Sequence, residues 1–163
     1  MTTLVLDTNI YDRIDADPRL AAVITHLSSI GALRILSTHV QEGELAAIPD
    51  EEKRARIAQI PREIVPTAGA VFGTSRYGAS TYGDGSDSGI AVDQVRTPSG
   101  GRTEDALIAT TASRDADYLV TEDQSFANRV RKLQSRCAVI GFSEFRDLVI
   151  SLDSPRRTAS ESG

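Results

Sequence analysis

At 163 residues, with 40% hydrophobic and 25% charged side chains, the chain is one globular domain's worth, enough to bury roughly two-thirds of its unfolded surface. No apolar run approaches the roughly 20 residues that span a bilayer, so no membrane segment is expected. The net charge of −5 argues against broad, non-specific nucleic-acid affinity, an objection that weakens if some of the acids surround bound divalent cations.

In chain order the pattern alternates strand and helix. Thr2 to Leu6 reads as a buried first strand, because it is a short apolar run without polar alternation. Pro18 through Ile30 reads as a helix with proline in its first turn, an apolar stripe of Leu20, Val23, Ile24 and Leu27, and Gly31 as its stop. Leu33 to Ser37 reads as a second strand and Val40 to Ile48 as a short helix closed by Pro49. Asp50 is placed to cap a helix over Lys53 to Ile60, which Pro61 ends. Ile64 and Val65 suggest a short strand.

Thr67 to Arg102 breaks the pattern, with glycines throughout and Arg76, Tyr77, Tyr82 and Arg102 among them. A loop this long is uncommon in a compact domain unless it is functional or disordered. It reads either as a mobile surface insertion with a small hairpin at Ile90-Ala91-Val92, or as a flap that stacks bases on tyrosine and holds phosphates with arginine. Regularity then returns: a helix over Thr103 to Ser113 with Thr103 as N-cap, a strand over Ala116 to Thr121, a helix over Gln124 to Leu133, a strand over Ala138 to Gly141, and a helix capped by Ser143 that runs through Leu152. One domain over 1–152 is expected, with 153–163 as a small, polar, disordered tail. Alternating strands and helices imply parallel βαβ units with helices on both sheet faces.

Four acids stand where an apolar strand gives way to a helix or loop, or early in the helix nearby: Asp7, Glu44, Asp105 and Asp123. In an open parallel sheet the strand C-termini share one edge, and ligands bind in the crevice there. Crowded carboxylates repel unless a cation neutralises them, and an all-oxygen donor set suits Mg²⁺ or Mn²⁺. Each acid also has an ordinary explanation. Asp7 and Asp123 can cap the turns that follow them, Asp105 can complement a helix dipole, and Glu44 can be a solvated helix residue. His26 and His39 lack partners at zinc-ligand spacing. Cys137, the single cysteine, reads as a small buried hydrophobe; with no basic leader before Leu4, it supports a cytoplasmic location. The basic groups Lys53, Arg54, Arg56 and Arg62, then Arg76, Arg96 and Arg102, then Arg129, Arg131, Lys132 and Arg136, read first as solvated faces.

The segments Leu4-Val5-Leu6-Asp7-Thr8-Asn9-Ile10, Val40 to Leu45, Glu104-Asp105-Ala106-Leu107-Ile108-Ala109 and Leu119-Val120-Thr121-Glu122-Asp123-Gln124-Ser125-Phe126 together resemble the PIN-domain ribonucleases. The resemblance covers most of the chain outside the glycine-rich insertion and the tail. It implies a three-layer α/β/α sandwich around a central, mostly parallel sheet and an RNA-cleaving site dependent on Mg²⁺ or Mn²⁺. It implies that Asp7, Glu44, Asp105 and Asp123 are the acidic ligands, supported by Thr8, Asn9 and Thr121. Glu44 is preferred to Glu42 because Leu45 follows it, and Asp105 to Glu104 because Ala106-Leu107-Ile108-Ala109 follows in register. Members are often the toxin of a toxin–antitoxin pair (VapC-like), which commonly dimerises and is held inactive by a small antitoxin. The insertion departs from the shortest toxins, and Arg76, Tyr77, Tyr82 and Arg102 are its candidate RNA contacts. The alternatives are a catalytically degenerate RNA-binding or scaffold protein of the same fold, and phosphotransfer folds. A haloacid-dehalogenase-like phosphatase wants a second aspartate where this chain has Asn9. A receiver domain wants an acidic pair before its nucleophile strand and a late lysine, but Lys53 and Lys132 are the only lysines.

Overall fold

The computed structural model describes residues 1–68, 80–81, 103–132 and 135–154. The described residues form, in order, β1 (Thr2–Leu6), α1 (Thr8–Asp15), α2 (Pro18–Ser29), β2 (Leu33–Ser37), α3 (His39–Ala46), α4 (Glu51–Ala58), β3 (Glu63–Ile64), β4 (Thr67–Ala68), β5 (Ser80–Thr81), α5 (Thr103–Asp115), β6 (Tyr118–Val120), α6 (Gln124–Arg131), β7 (Ala138–Ile140) and α7 (Phe142–Asp153). Five strands make one all-parallel sheet in the order β3-β2-β1-β6-β7, and β4 pairs with β5 in a separate parallel ribbon.

Successive side chains of a strand face opposite sides of a sheet, which divides the core in two. Leu4, Leu6 and Val120 pack with Ile10, Tyr11, Ile14, Leu20, Ile24, Ile57 and Phe145, residues of α1, α2, α4 and α7. Val5, Leu36 and Leu119 point the other way and pack with Ala106, Ala109, Phe126 and Val130 of α5 and α6. The result is an α/β/α sandwich. Cys137 is 5% exposed in the second core, and burial with the Asp117 charge pushes its thiol up to about 12, so it stays unreactive at neutral pH.

Helix boundaries follow local chemistry. Asp17 and Asp50 accept from the backbone N–H groups of Leu20 (3.1 Å) and Lys53 (3.0 Å), capping α2 and α4. Gly31, at φ 69°, turns the chain out of α2 in the left-handed region open to glycine. Two expected helix caps need correction, and one helix went unread. α1 has no counterpart in the sequence expectations, because its few residues carry no long apolar period. Thr103 is the first helical residue of α5, not the residue before it. Ser143 lies inside α7, and the start is held by Glu144, whose carboxylate accepts from Gly141 N–H at 2.9 Å. The suggested hairpin at 90–92 and most of the insertion and tail lie outside the described residues.

Four of the basic side chains that read as a solvated face are spent internally. Lys53 pairs with Asp12 (3.0 Å) and Arg56 with Asp15 (2.7 Å), tying α4 to α1. Arg54 donates to the Ile48 carbonyl at 2.9 Å, and Arg62 pairs with Glu42 at 2.7 Å.

Two of the described glycines, Gly31 just past α2 and Gly43 within α3, predict opposite responses. A Cβ at Gly31 meets nothing within 4 Å, so Gly31→Ala carries only the left-handed backbone cost and should destabilise by roughly 1 kcal/mol. Gly43 lies within α3 and its Cβ would also meet open space, so Gly43→Ala should stabilise by roughly 0.5–1 kcal/mol. Urea unfolding of the two variants checks both signs.

Candidate functional site

The chain runs outward from β1 to β2 and β3, then returns to place β6 on the other side of β1. The strand order therefore reverses between β1 and β6, and in such sheets the crevice beyond the strand C-termini at that point is where ligands bind. Asp7 follows β1 and Thr121 follows β6, so both stand at the reversal. Asp7 N–H donates to the Val120 carbonyl at 2.8 Å, extending the pairing of the two strands to the edge itself.

Asp7 occupies the N-cap position of α1, yet its side chain makes no capping hydrogen bond. Its Oδ2 instead accepts from the hydroxyl of Thr121 at 2.7 Å. Thr121 is 2% exposed, and its Oγ1 also accepts from Asp123 N–H at 3.1 Å. A threonine hydroxyl has one proton to give, so the bond from Asp123 fixes its direction: the proton goes to Asp7. The half-buried carboxylate of Asp7 is thereby held toward Thr121, beside the strand-order reversal, rather than folded over its own helix. Capping explains the position of Asp7 in the chain but not its side chain.

Asp123 differs. Its Oδ1 accepts from Phe126 N–H at 2.9 Å, so it does cap α6, as the ordinary reading allowed, while its backbone stays tied to Thr121.

Glu44 is brought in by α3. The side chains of Thr38 and Gln41 form a capping box, with Thr38 N–H to Gln41 Oε1 at 3.0 Å and Gln41 N–H to Thr38 Oγ1 at 3.3 Å. Buried Gln41 also donates through Nε2 to the carbonyl of Leu6, the last residue of β1. That bond pins the start of α3 beside Asp7 and sets Glu44 one turn onward, where it accepts from the hydroxyl of Thr8. Glu42 points elsewhere, accepting from Ser37 Oγ at 2.5 Å and from the Arg62 guanidinium at 2.7 and 3.1 Å. Between the two glutamates, the geometry leaves Glu44 at the Asp7 edge.

Asp105 lies in the first turn of α5, and its Oδ2 takes Nη2 of Arg129 at 3.2 Å. Glu104 beside it is exposed, and Asn9 is exposed on α1 and enters none of these hydrogen bonds. Arg76, Tyr77, Tyr82 and Arg102 lie outside the described residues.

The structure thus links Asp7, Thr121 and Asp123 directly, joins Glu44 to Thr8 beside them, and engages Asp105 with a cation of the protein itself. Among the described residues no three His, Cys, Asp or Glu side chains converge closely enough to form a metal cage. The donors are all carboxylate oxygens, a set that fits a hard cation held by one or two carboxylates with water completing its shell, as Mg²⁺ prefers. Sequence reasoning missed Gln41 and Arg129. The first carried a visible signal, Thr38-His39-Val40-Gln41 as a capping box; the second carried none, since its partner Asp105 lies far away in the chain. No protein-family model matches this chain, and no curated protein matches it either.

The Glu42–Arg62 pair is a structural counterpart to the exposed Glu44. Burial pushes the Glu42 carboxyl up, but the hydrogen bonds from Arg62 and Ser37 outweigh it and hold the group below its ordinary 4.5. A depressed folded-state pKa stabilises above the unfolded value and is lost as pH falls through the folded one. Glu42→Gln should therefore destabilise by about 1–3 kcal/mol at pH 7. The deficit should shrink progressively below pH 4.5. Unfolding free energies for the two proteins between pH 3 and pH 7, a window on the order of the carboxylate range, give the test.

Proposed function

We propose that the chain is a metal-dependent endoribonuclease of the PIN-domain type, cleaving RNA phosphodiester bonds. The observation that carries this reading is the Asp7 carboxylate, bound to Thr121 beside the strand-order reversal instead of capping its own helix. An acid held in that way is prepared for a cation. Asp7 would hold Mg²⁺ or Mn²⁺ together with Glu44 or Asp123, with Asp105 as the fourth acid of the set. When bound, the cation supplies a lowered pKa for water and positive charge against the scissile phosphate.

The chain's own residues set the stage for that chemistry. Thr121 fixes the rotamer of Asp7, so no reorganisation is needed when the ligand arrives. Thr8 holds the carboxylate of Glu44 in the same way. Attack in line with the leaving ribose oxygen gives a 5′-phosphate and a 3′-hydroxyl. A small antitoxin protein and a second copy of the chain are the proposed partners, the location is proposed as cytoplasmic, and Arg76, Tyr77, Tyr82 and Arg102 are proposed to contact RNA from the insertion. No described helix is long and apolar enough to cross a membrane.

A second reading, a non-catalytic RNA-binding or scaffold protein, draws support from two engagements. Asp105 is paired with Arg129, and one oxygen of Asp123 serves as a helix cap.

Purified protein incubated with a mixed structured RNA separates the readings. The nuclease should cut in Mn²⁺ or Mg²⁺, stop in EDTA, and lose at least about a hundredfold in rate in Asp7→Asn, while that variant keeps its circular dichroism spectrum. Tight RNA binding with no cleavage favours the scaffold; an Asp7→Asn protein as active as wild type removes Asp7 from the site.

A further inference from the structure

Arg129 is bound more loosely than its surroundings explain. It lies on α6 three and four residues after Phe126 and Ser125, so the three share a helix face. Its guanidinium stacks 5.7 Å above the Phe126 ring, and Phe126 is itself 1% exposed. Nη1 donates to Ser125 Oγ at 3.1 Å, and Nη2 to a single oxygen of Asp105 at 3.2 Å, long for a charged pair. Nε, on the same fork edge as Nη2, is buried without an acceptor among the described residues. That edge is built to take two oxygens of one carboxylate or phosphate side by side, and here one socket is filled and the other is not. The Arg129 and Asp105 side chains retain 23% and 20% of their exposure, so the pair is not sealed inside the core, and α6, which carries Arg129, begins just after β6 and Thr121.

We infer that Arg129 is a phosphate-binding residue of this site, held in the free protein by Asp105 and handed to an RNA phosphate when substrate enters. The inference rests on the ribonuclease reading above and adds a residue and a competition to it. Asp105 and phosphate are rival acceptors for one fork. A phosphate offers the second oxygen that Asp105 leaves missing, and the Phe126 ring keeps the guanidinium flat while the exchange occurs.

The competition predicts a particular double-mutant cycle, read as the affinity for a short fluorescein-labelled single-stranded RNA in EDTA. Arg129→Met should weaken binding about tenfold and lower the slope of log affinity against log salt by about 0.7. Asp105→Asn frees the fork and should tighten binding about threefold in the wild-type background but not in the Arg129→Met background. An equal gain in both backgrounds would mean simple charge repulsion and overturn the inference, as would Arg129→Met binding unchanged. Should Arg129→Met fail to fold, Arg129→Lys decides: it keeps the charge and loses the fork, so affinity should fall with the salt slope preserved, and wild-type affinity overturns the inference. Wild-type protein that neither binds RNA nor cuts it with metal present defeats the ribonuclease reading itself; a flat cycle on an RNA-cleaving protein defeats only the role of Arg129.

Discussion

One hydroxyl organises the candidate site. Thr121 takes a hydrogen bond from the backbone of Asp123 and gives its own proton to the carboxylate of Asp7, joining the ends of β1 and β6. Those two neighbouring strands flank the point where strand order reverses. Capping the first turn of α1 is the ordinary fate of an aspartate before a helix, and the bond to Thr121 takes the place of that contact. The threonine is almost fully buried and its direction is set by its donor, so the preference is built into the fold and not left to solvent.

The rest of the edge follows from placing carboxylates near one another while keeping the sheet intact. Gln41 ties α3 to the last carbonyl of β1 and so decides where the two glutamates of that helix go. Glu42 turns toward Arg62 and Ser37 and becomes part of the scaffold; Glu44 turns toward Thr8 and remains at the edge. On the opposite face of the sheet Arg129 offsets the charge of Asp105. Of the four candidate acids, Asp105 takes a guanidinium and Asp123 lends one oxygen to a helix terminus.

Much of the architecture was legible because it depends on local signals. Leu4-Val5-Leu6 and Leu33 to Ser37 are apolar runs too short for helices, and Asp17, Asp50, Gly31 and the prolines punctuate what lies between. α1 was invisible for the opposite reason, since eight residues give a helical period little room to show itself. The place of Asp7 was readable, but the state of its carboxylate was not, because the Thr121 bond spans 114 positions of sequence. The same distance problem hid the Asp105–Arg129 pair. Arg129 looked like one member of a basic run, and only the folding of α5 against α6 gives it a partner. Glu42 and Glu44 were separable by helical geometry into two faces, yet which face met Asp7 depended on the buried amide of Gln41.

The central claim is that the Thr121-bound carboxylate of Asp7 is a cation site. Titrating isotopically labelled protein with Mn²⁺ and following amide resonances by NMR tests it without reference to any substrate. Paramagnetic broadening should begin at Asp7, Thr8 and the segment from Thr121 to Asp123, and should vanish in Asp7→Asn. Broadening that starts at exposed acids elsewhere, such as Glu51 and Glu52 in the first turn of α4, or that survives the loss of Asp7, would contradict the account.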